Sequence, residues 1–106
     1  MIENKVSGLI GLAMRAGKVV FGTDACKQEI QKNKVKLLII AKDAAERTKT
    51  NFKNICVEKN VPIVEFLEIE TISKSIGKDN KAMIGIKDMN FSKEIIKIIN
   101  GGEAIG

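Results

Sequence analysis

Apolar side chains recur at Val6, Leu9, Ile10, Ala13 and Met14 within residues 4–15. Spacings of three and four predict an amphipathic helix. Gly8 and Gly11 weaken it intrinsically, so packing against a close neighbour must hold it. Gly17 ends it, with Arg15 in the last turn where the helix dipole favours a cation. Val19-Val20-Phe21 predicts a short strand. Thr23 or Asp24 then caps a helix running to about Asn33, with Cys26 and Ile30 turned inward. Asn33 suits a left-handed helix end.

Val35 to Ala41 is nearly continuously apolar, as in a central strand covered on both faces. Asp43 and Glu46 have the spacing of a capping box. The helix they open runs to about Lys59. Ala45, Thr48, Phe52, Ile55 and Cys56 share one face, and Arg47, Lys49, Lys53 and Asn54 occupy the other. Asn60-Val61-Pro62 breaks this helix, and Ile63 to Leu67 predicts a strand. Residues 68–77 read as a loop and then a short helix holding Ile72 and Ile76. Lys78-Asp79-Asn80-Lys81 is a polar turn before a strand at Ala82 to Ile86. Asn90 or Ser92 starts a last helix with Phe91, Ile95, Ile98 and Ile99 on its apolar face. Asn100-Gly101-Gly102 ends it, leaving a frayed tail at 101–106. Alternating helices and strands predict an α/β fold, a three-layer α/β/α sandwich around about four strands, in a single domain over residues 1–100.

Charge adds a direction to this scaffold. The chain has 106 residues and a net charge of +5. Residues 1–53 carry 11 Lys and Arg against 5 Asp and Glu, whereas residues 54–106 carry 7 against 8. The whole positive excess therefore lies in the first half, a pattern suited to a polyanion partner. Cys26 and Cys56 fall on apolar helical positions and read as buried thiols. With no histidine and no paired cysteines, zinc and His-dependent nucleophilic catalysis are excluded. No cofactor is expected. Glu68 and Glu70 have no identifiable acid–base partner and read as a solvated loop. Gly11 to Val19 only superficially suggests a phosphate loop: the glycine spacing is one residue too long, Val19 replaces the required hydroxyl, and the stretch precedes a strand. No signal peptide and no bilayer-spanning run is present, so a cytoplasmic protein with no membrane partner and no small-molecule substrate is expected.

The richest stretch is Arg15 to Gln28. Gly22 lies between a strand and a helix, where a helix start leaves N–H groups without intrahelical acceptors. Such a start attracts anions or base acceptors. Lys18, Lys27, Lys32, Lys34 and Lys36 read as a basic surround, and Lys42 follows the central strand, where α/β sheets place ligands. The residues alone are equally compatible with a plain strand-to-helix turn at Gly22-Thr23. Aromatic content of 4%, all Phe, disfavours single-strand stacking platforms and favours structured RNA.

Gly22-Thr23-Asp24, the strand at 35–41, Ala41-Lys42-Asp43-Ala44 and Val61-Pro62-Ile63, taken in order, resemble the ribosomal proteins of the L-seven-Ae and L-thirty-e type, which bind kink-turn RNA. Ile10-Gly11-Leu12-Ala13-Met14-Arg15-Ala16-Gly17-Lys18 and Ser75-Ile76-Gly77-Lys78 are similar to its small bacterial YlxQ-type branch. The resemblance implies a mixed sheet in the α/β/α sandwich. It implies a non-catalytic RNA binder whose contacts come from the start of the second helix and the loop after the third main strand. In RNA-binding members that helix opens Gly-x-Asn-Glu-x-x-Lys, which by position becomes Gly22, Asp24, Ala25 and Gln28. Asp24 still accepts from a guanine amino group but cannot donate as an amide does. Ala25 has no acceptor, and Gln28 has no cation, although Lys27 adjoins it. In the loop, Leu67, Glu68 and Ile69 are the implied contacts, with Leu67 and Ile69 stacking under an extruded nucleotide and Glu68 and Glu70 repelling phosphate. Ile72-Ser73 stands where the family often has Leu-Gly. The implied partners are structured RNA, ribosomal RNA above all, and ribosomal or translation proteins. An alternative is a protein-interaction module on the same fold that has lost specific RNA recognition.

Overall fold

The computed structural model describes residues 1–101. The elements are α1 (Ile2–Arg15), β1 (Val19–Phe21), α2 (Thr23–Gln31), β2 (Leu37–Ile40), α3 (Glu46–Lys59), β3 (Ile63–Glu65), α4 (Ile69–Ser75), β4 (Met83–Ile86) and α5 (Met89–Ile99). The expected tail therefore lies, apart from Gly101, outside the described residues. The strands form one mixed sheet in the order β1-β4-β2-β3. β4 runs antiparallel to both β1 and β2, and β2 and β3 run parallel. α1 packs against α4 and α5, while α2 packs against α3, so the fold is an α/β/α sandwich.

Every residue of β2 and β4 is buried. Each fully buried Leu or Ile contributes about 1.5–3 kcal/mol, which explains why the apolar run at 37–40 sits inside the sheet. The α1 face that seals one side is Val6, Ile10 and Ala13. Gly11 is its point of close approach: a Cβ there would lie 3.4 Å from the Ser75 carbonyl oxygen, whereas Gly8 faces open space. The end of α1 follows its local signal. Gly17 has φ +74, its N–H donates to the Met14 carbonyl, and the Lys18 N–H donates to the Ala13 carbonyl at 2.9 Å. Asn33 and Asn60 both adopt left-handed backbone after their helices.

The helix starts differ from expectation. Neither Thr23 nor Asp24 caps α2: the cap position is Gly22, without a side-chain hydrogen bond. Asp43 does not form a capping box with Glu46, because α3 begins after Ala45. The Asp43 carboxylate instead accepts from the Ile69 N–H at 2.8 Å, joining the β2–α3 loop to α4. The last helix is capped by Asp88, which accepts from the Phe91 N–H, rather than by Asn90 or Ser92.

Lys49 is the largest departure. Helical periodicity places it outward, yet it is only 7% exposed. Its ammonium donates to the Lys42 carbonyl and pairs with Glu46 at 3.3 Å and Glu65 at 3.4 Å. Glu65 also pairs with Lys53 at 2.8 Å. Burial pulls the Lys49 pKa down, but the hydrogen bonds and charges of Glu46 and Glu65 outweigh it and the net shift is upward. The Lys53 hydrogen bond leads the lowering of the Glu65 pKa, with Lys49 adding to it against partial burial.

Gly85 lies in β4, where a Cβ would come within 2.9 Å of Val20 and 3.1 Å of Val35. Gly85→Ala should cost about 1–3 kcal/mol in urea unfolding by overpacking. For the charge network, a lowered carboxylate pKa contributes stability above its ordinary value of 4.5, which is lost as pH falls through the folded value. The raised lysine contributes below 10.5 and loses its share above that. The urea midpoint should fall below pH 4.5, and Glu65→Gln should flatten that acid limb.

Candidate nucleic-acid interface

Strand pairing gathers four loops at one edge of the sheet. Phe21 pairs with Ile84, and Ile40 pairs with Met83 and Glu65. The exits of β1, β2 and β3 and the entry to β4 therefore lie side by side. At the β1 exit, Gly22 has φ +86 and ψ 161, a backbone region that is essentially restricted to glycine. Its N–H donates to the Met83 carbonyl at 3.3 Å, and its carbonyl accepts from the Cys26 N–H at 3.1 Å. This conformation turns the chain directly from strand into helix.

The start of α2 is open. No side chain caps it, and a Cβ built on Gly22 would meet nothing within 4 Å. Thr23 and Asp24 are exposed and Ala25 is half-buried. The first-turn amides thus have no side-chain acceptor among the described residues, an arrangement that suits an anion or a base acceptor. Beneath them, burial pushes the Cys26 thiol up to about 12, and the Cys56 thiol up to about 11. Both are inert packing groups.

Cations line this edge, though not the full set expected. Thr23, Asp24 and Lys27 of α2 share a groove with Arg47 and Asn51 of α3. Across β1, the Lys78 and Lys81 ammonium groups lie 5.4 and 5.6 Å from the Phe21 ring centre. Their loop is fixed by Ser73, whose hydroxyl accepts from the Lys81 N–H at 2.8 Å and whose carbonyl accepts from the Lys78 N–H. At the β2 exit the Lys42 ammonium lies 5.7 Å from the Phe66 ring centre. Among the described residues, Lys27, Lys42, Arg47, Lys78 and Lys81 form no salt bridge. Exposed Asp24, Glu68 and Asp79 interrupt the positive field.

The expected basic surround of Gly22 is divided. Lys27 and Lys42 belong to this edge, and Gln28 is exposed on α2 beside Lys27. Lys18 precedes β1, so the three-residue strand sets it about 13 Å from Gly22. The Lys18 carbonyl accepts from the Lys87 N–H, and the Lys36 N–H donates to the Ile86 carbonyl, which fixes both at the opposite edge. Lys32 ends α2, one helix length from the mouth, and pairs with Glu29 at 3.8 Å. Lys34 follows it.

The 67–69 segment also differs. Leu67 is 4% exposed with φ +66, so it packs in the core and offers no stacking surface. Its carbonyl accepts from the Lys42 N–H at 2.8 Å. Glu68 is exposed at the α4 cap position, and Ile69 is half-buried with its N–H held by Asp43. The loop that meets β1 is 77–82. Lys78 and Lys81 were visible in sequence as a charged turn, but nothing local connects that turn to Phe21.

These features define a class: a small α/β/α sandwich offering an open helix start and unpaired cations at one sheet edge. Among the described residues no His, Cys, Asp and Glu group could hold a metal ion, and no helix is long and apolar enough to cross a membrane. The family model for the ribosomal protein L7Ae/L30e/S12e/Gadd45 family matches residues 4–96, and the chain belongs to that family. It is 38% identical over 99 residues to the RNA-binding protein YlxQ of Enterococcus faecium, covering 93% of this chain and 95% of that protein. It is 30% identical to the RNA-binding protein YlxQ of Bacillus subtilis, covering 87% of this chain and 92% of that one. A solved structure of a protein of unknown function from Bacillus halodurans superposes with a TM-score of 0.87 at 29% identity, covering 91% and 97% of the two chains.

Gly22 provides the direct test of this geometry. Gly22→Ala has space for its methyl group but not the backbone freedom, so it should lose about 1–3 kcal/mol of stability. Urea unfolding reads the loss.

Proposed function

We propose that this protein is a non-catalytic, ribosomal-protein-like RNA binder that docks structured RNA on the Gly22 edge. The supporting observation is the uncapped start of α2, flanked by Lys27 and Arg47 on two helices and by Lys42, Lys78 and Lys81 on two loops, cations that form no salt bridge among the described residues. The first-turn amides donate to a phosphate or base acceptor, Asp24 accepts from an exposed guanine amino group, and Lys27 stands in for the cation missing at Gln28. Lys42, Arg47, Lys78 and Lys81 neutralise backbone phosphates on either side. Ribosomal RNA in the cytoplasm is the expected target, a kink-turn is the motif to test first, and the RNA-binding names of the relatives agree with this reading.

The test is a fluorescence titration of the full chain against a kink-turn RNA and an uninterrupted duplex at several salt concentrations. Affinity should fall steeply with salt. Lys27→Glu combined with Arg47→Glu should weaken every bound RNA and reduce the salt slope by about 1.5–2. Lys18→Glu with Lys32→Glu should leave binding nearly unchanged. Failure to bind any structured RNA at low salt overturns the proposal. Tighter binding of the kink-turn than of the duplex, retained in high salt, marks specific recognition.

A further inference from the structure

The opposite edge of the sheet has a different chemistry. There a groove runs between the loop entering β2, the loop entering β3 and the first turns of α5. Lys36, Lys59 and Lys93 stand around it, and none of them forms a salt bridge among the described residues. Among the described residues no acidic residue lines it. Asp88, which precedes Met89, is occupied in capping α5, and Glu58 and Glu94 adjoin two of the lysines along the chain. Between the lysines Val61, Pro62 and Met89 supply apolar lining beside the polar Asn33 and Asn60, and Met89 is 49% exposed. Ser92 also lines the groove; it is 1% exposed and its hydroxyl has no hydrogen-bond partner among the described residues.

We infer that this groove docks an acidic segment of a protein partner, an apolar side chain of the segment lying on Met89 and Pro62 while its carboxylates meet Lys36, Lys59 and Lys93. The charge is complementary to such a segment, and the apolar strip supplies a desolvated centre inside a charged rim. Methionine adapts its shape to varied apolar side chains. The Ser92 hydroxyl is a polar group that a peptide backbone can satisfy. A single-stranded RNA fits less well: among the described residues neither an aromatic residue nor an arginine lines the groove, so an unstacked base finds no platform. The protein then presents RNA-binding and peptide-binding surfaces at opposite edges of one sheet, each with its own determinants.

The test measures anisotropy of a fluorescein-labelled peptide of Glu-Glu-Leu repeats with the full chain, beside a Glu-Glu-Ser peptide and a labelled uridine oligonucleotide. The Leu peptide should bind more tightly than the Ser peptide. Lys36→Glu, Lys59→Glu and Lys93→Glu together should weaken the Leu peptide about tenfold or more. Met89→Ser should remove most of the preference for leucine. Lys27→Glu with Arg47→Glu should leave peptide binding unchanged, so RNA binding can fail while this site stands, and the reverse. No binding of the Leu peptide, or binding indifferent to the triple lysine variant, overturns the inference. Equal affinity for the Leu and Ser peptides, with the oligonucleotide lost in the triple variant, also overturns it and marks a general polyanion surface.

Discussion

The central constraint is the insertion of β4, antiparallel, between β1 and β2. Gly85, without a side chain, leaves room for Val20 and Val35 to close over the strand. From that pairing the Met83 carbonyl is delivered to the Gly22 N–H, which holds the strand-to-helix turn in a backbone conformation that other residues resist. The same pairing draws the Lys78–Lys81 loop over Phe21. The candidate interface is therefore a consequence of sheet order, with the helices stabilising a geometry that the strands define.

The second support is ionic. Lys49 is tucked beneath the loop that follows β2 and holds the Lys42 carbonyl while pairing with carboxylates from α3 and β3. A buried cation of this kind is weak as a source of net stability, since desolvation offsets much of the attraction. Its effect is positional: it ties the loop bearing Lys42 to two elements at once. Asp43 does the same toward α4 through the Ile69 N–H. Two side chains that sequence periodicity assigns to a helix surface and a helix cap are thus both used to keep one loop in place.

The two edges of the sheet divide the basic residues between them. One edge combines open amides with scattered cations and has Lys78 and Lys81 over Phe21. The other has lysines around an apolar groove. Net charge describes neither, because the same positive excess supports different recognition depending on what lies between the charges. In a family with relatives named as RNA-binding proteins, the two edges of this one small sheet carry chemically distinct surfaces.

Local physics made much of the scaffold legible in the chain itself. The apolar spacing of α1, the continuous run of β2 and the turn residues Gly17, Asn33 and Asn60 act within a few residues, and they announce elements and their ends directly. Gly22 is legible for the same reason, as a glycine between a strand and a helix. Which lysines share an edge was not legible, because that depends on strand order and direction, set by contacts distant in sequence. Lys18 looks adjacent to Gly22 along the chain but lies at the far end of β1, while Lys78 looks remote and lies over Phe21. Burial of Lys49 was hidden for a related reason: it departs from helical periodicity to reach the Lys42 carbonyl and the Glu65 carboxylate, while Leu67 turns into the core through a left-handed backbone that no neighbouring residue announces. Hydrogen-bonding and packing periods belong to the sequence, but the neighbours that complete them belong to the folded sheet.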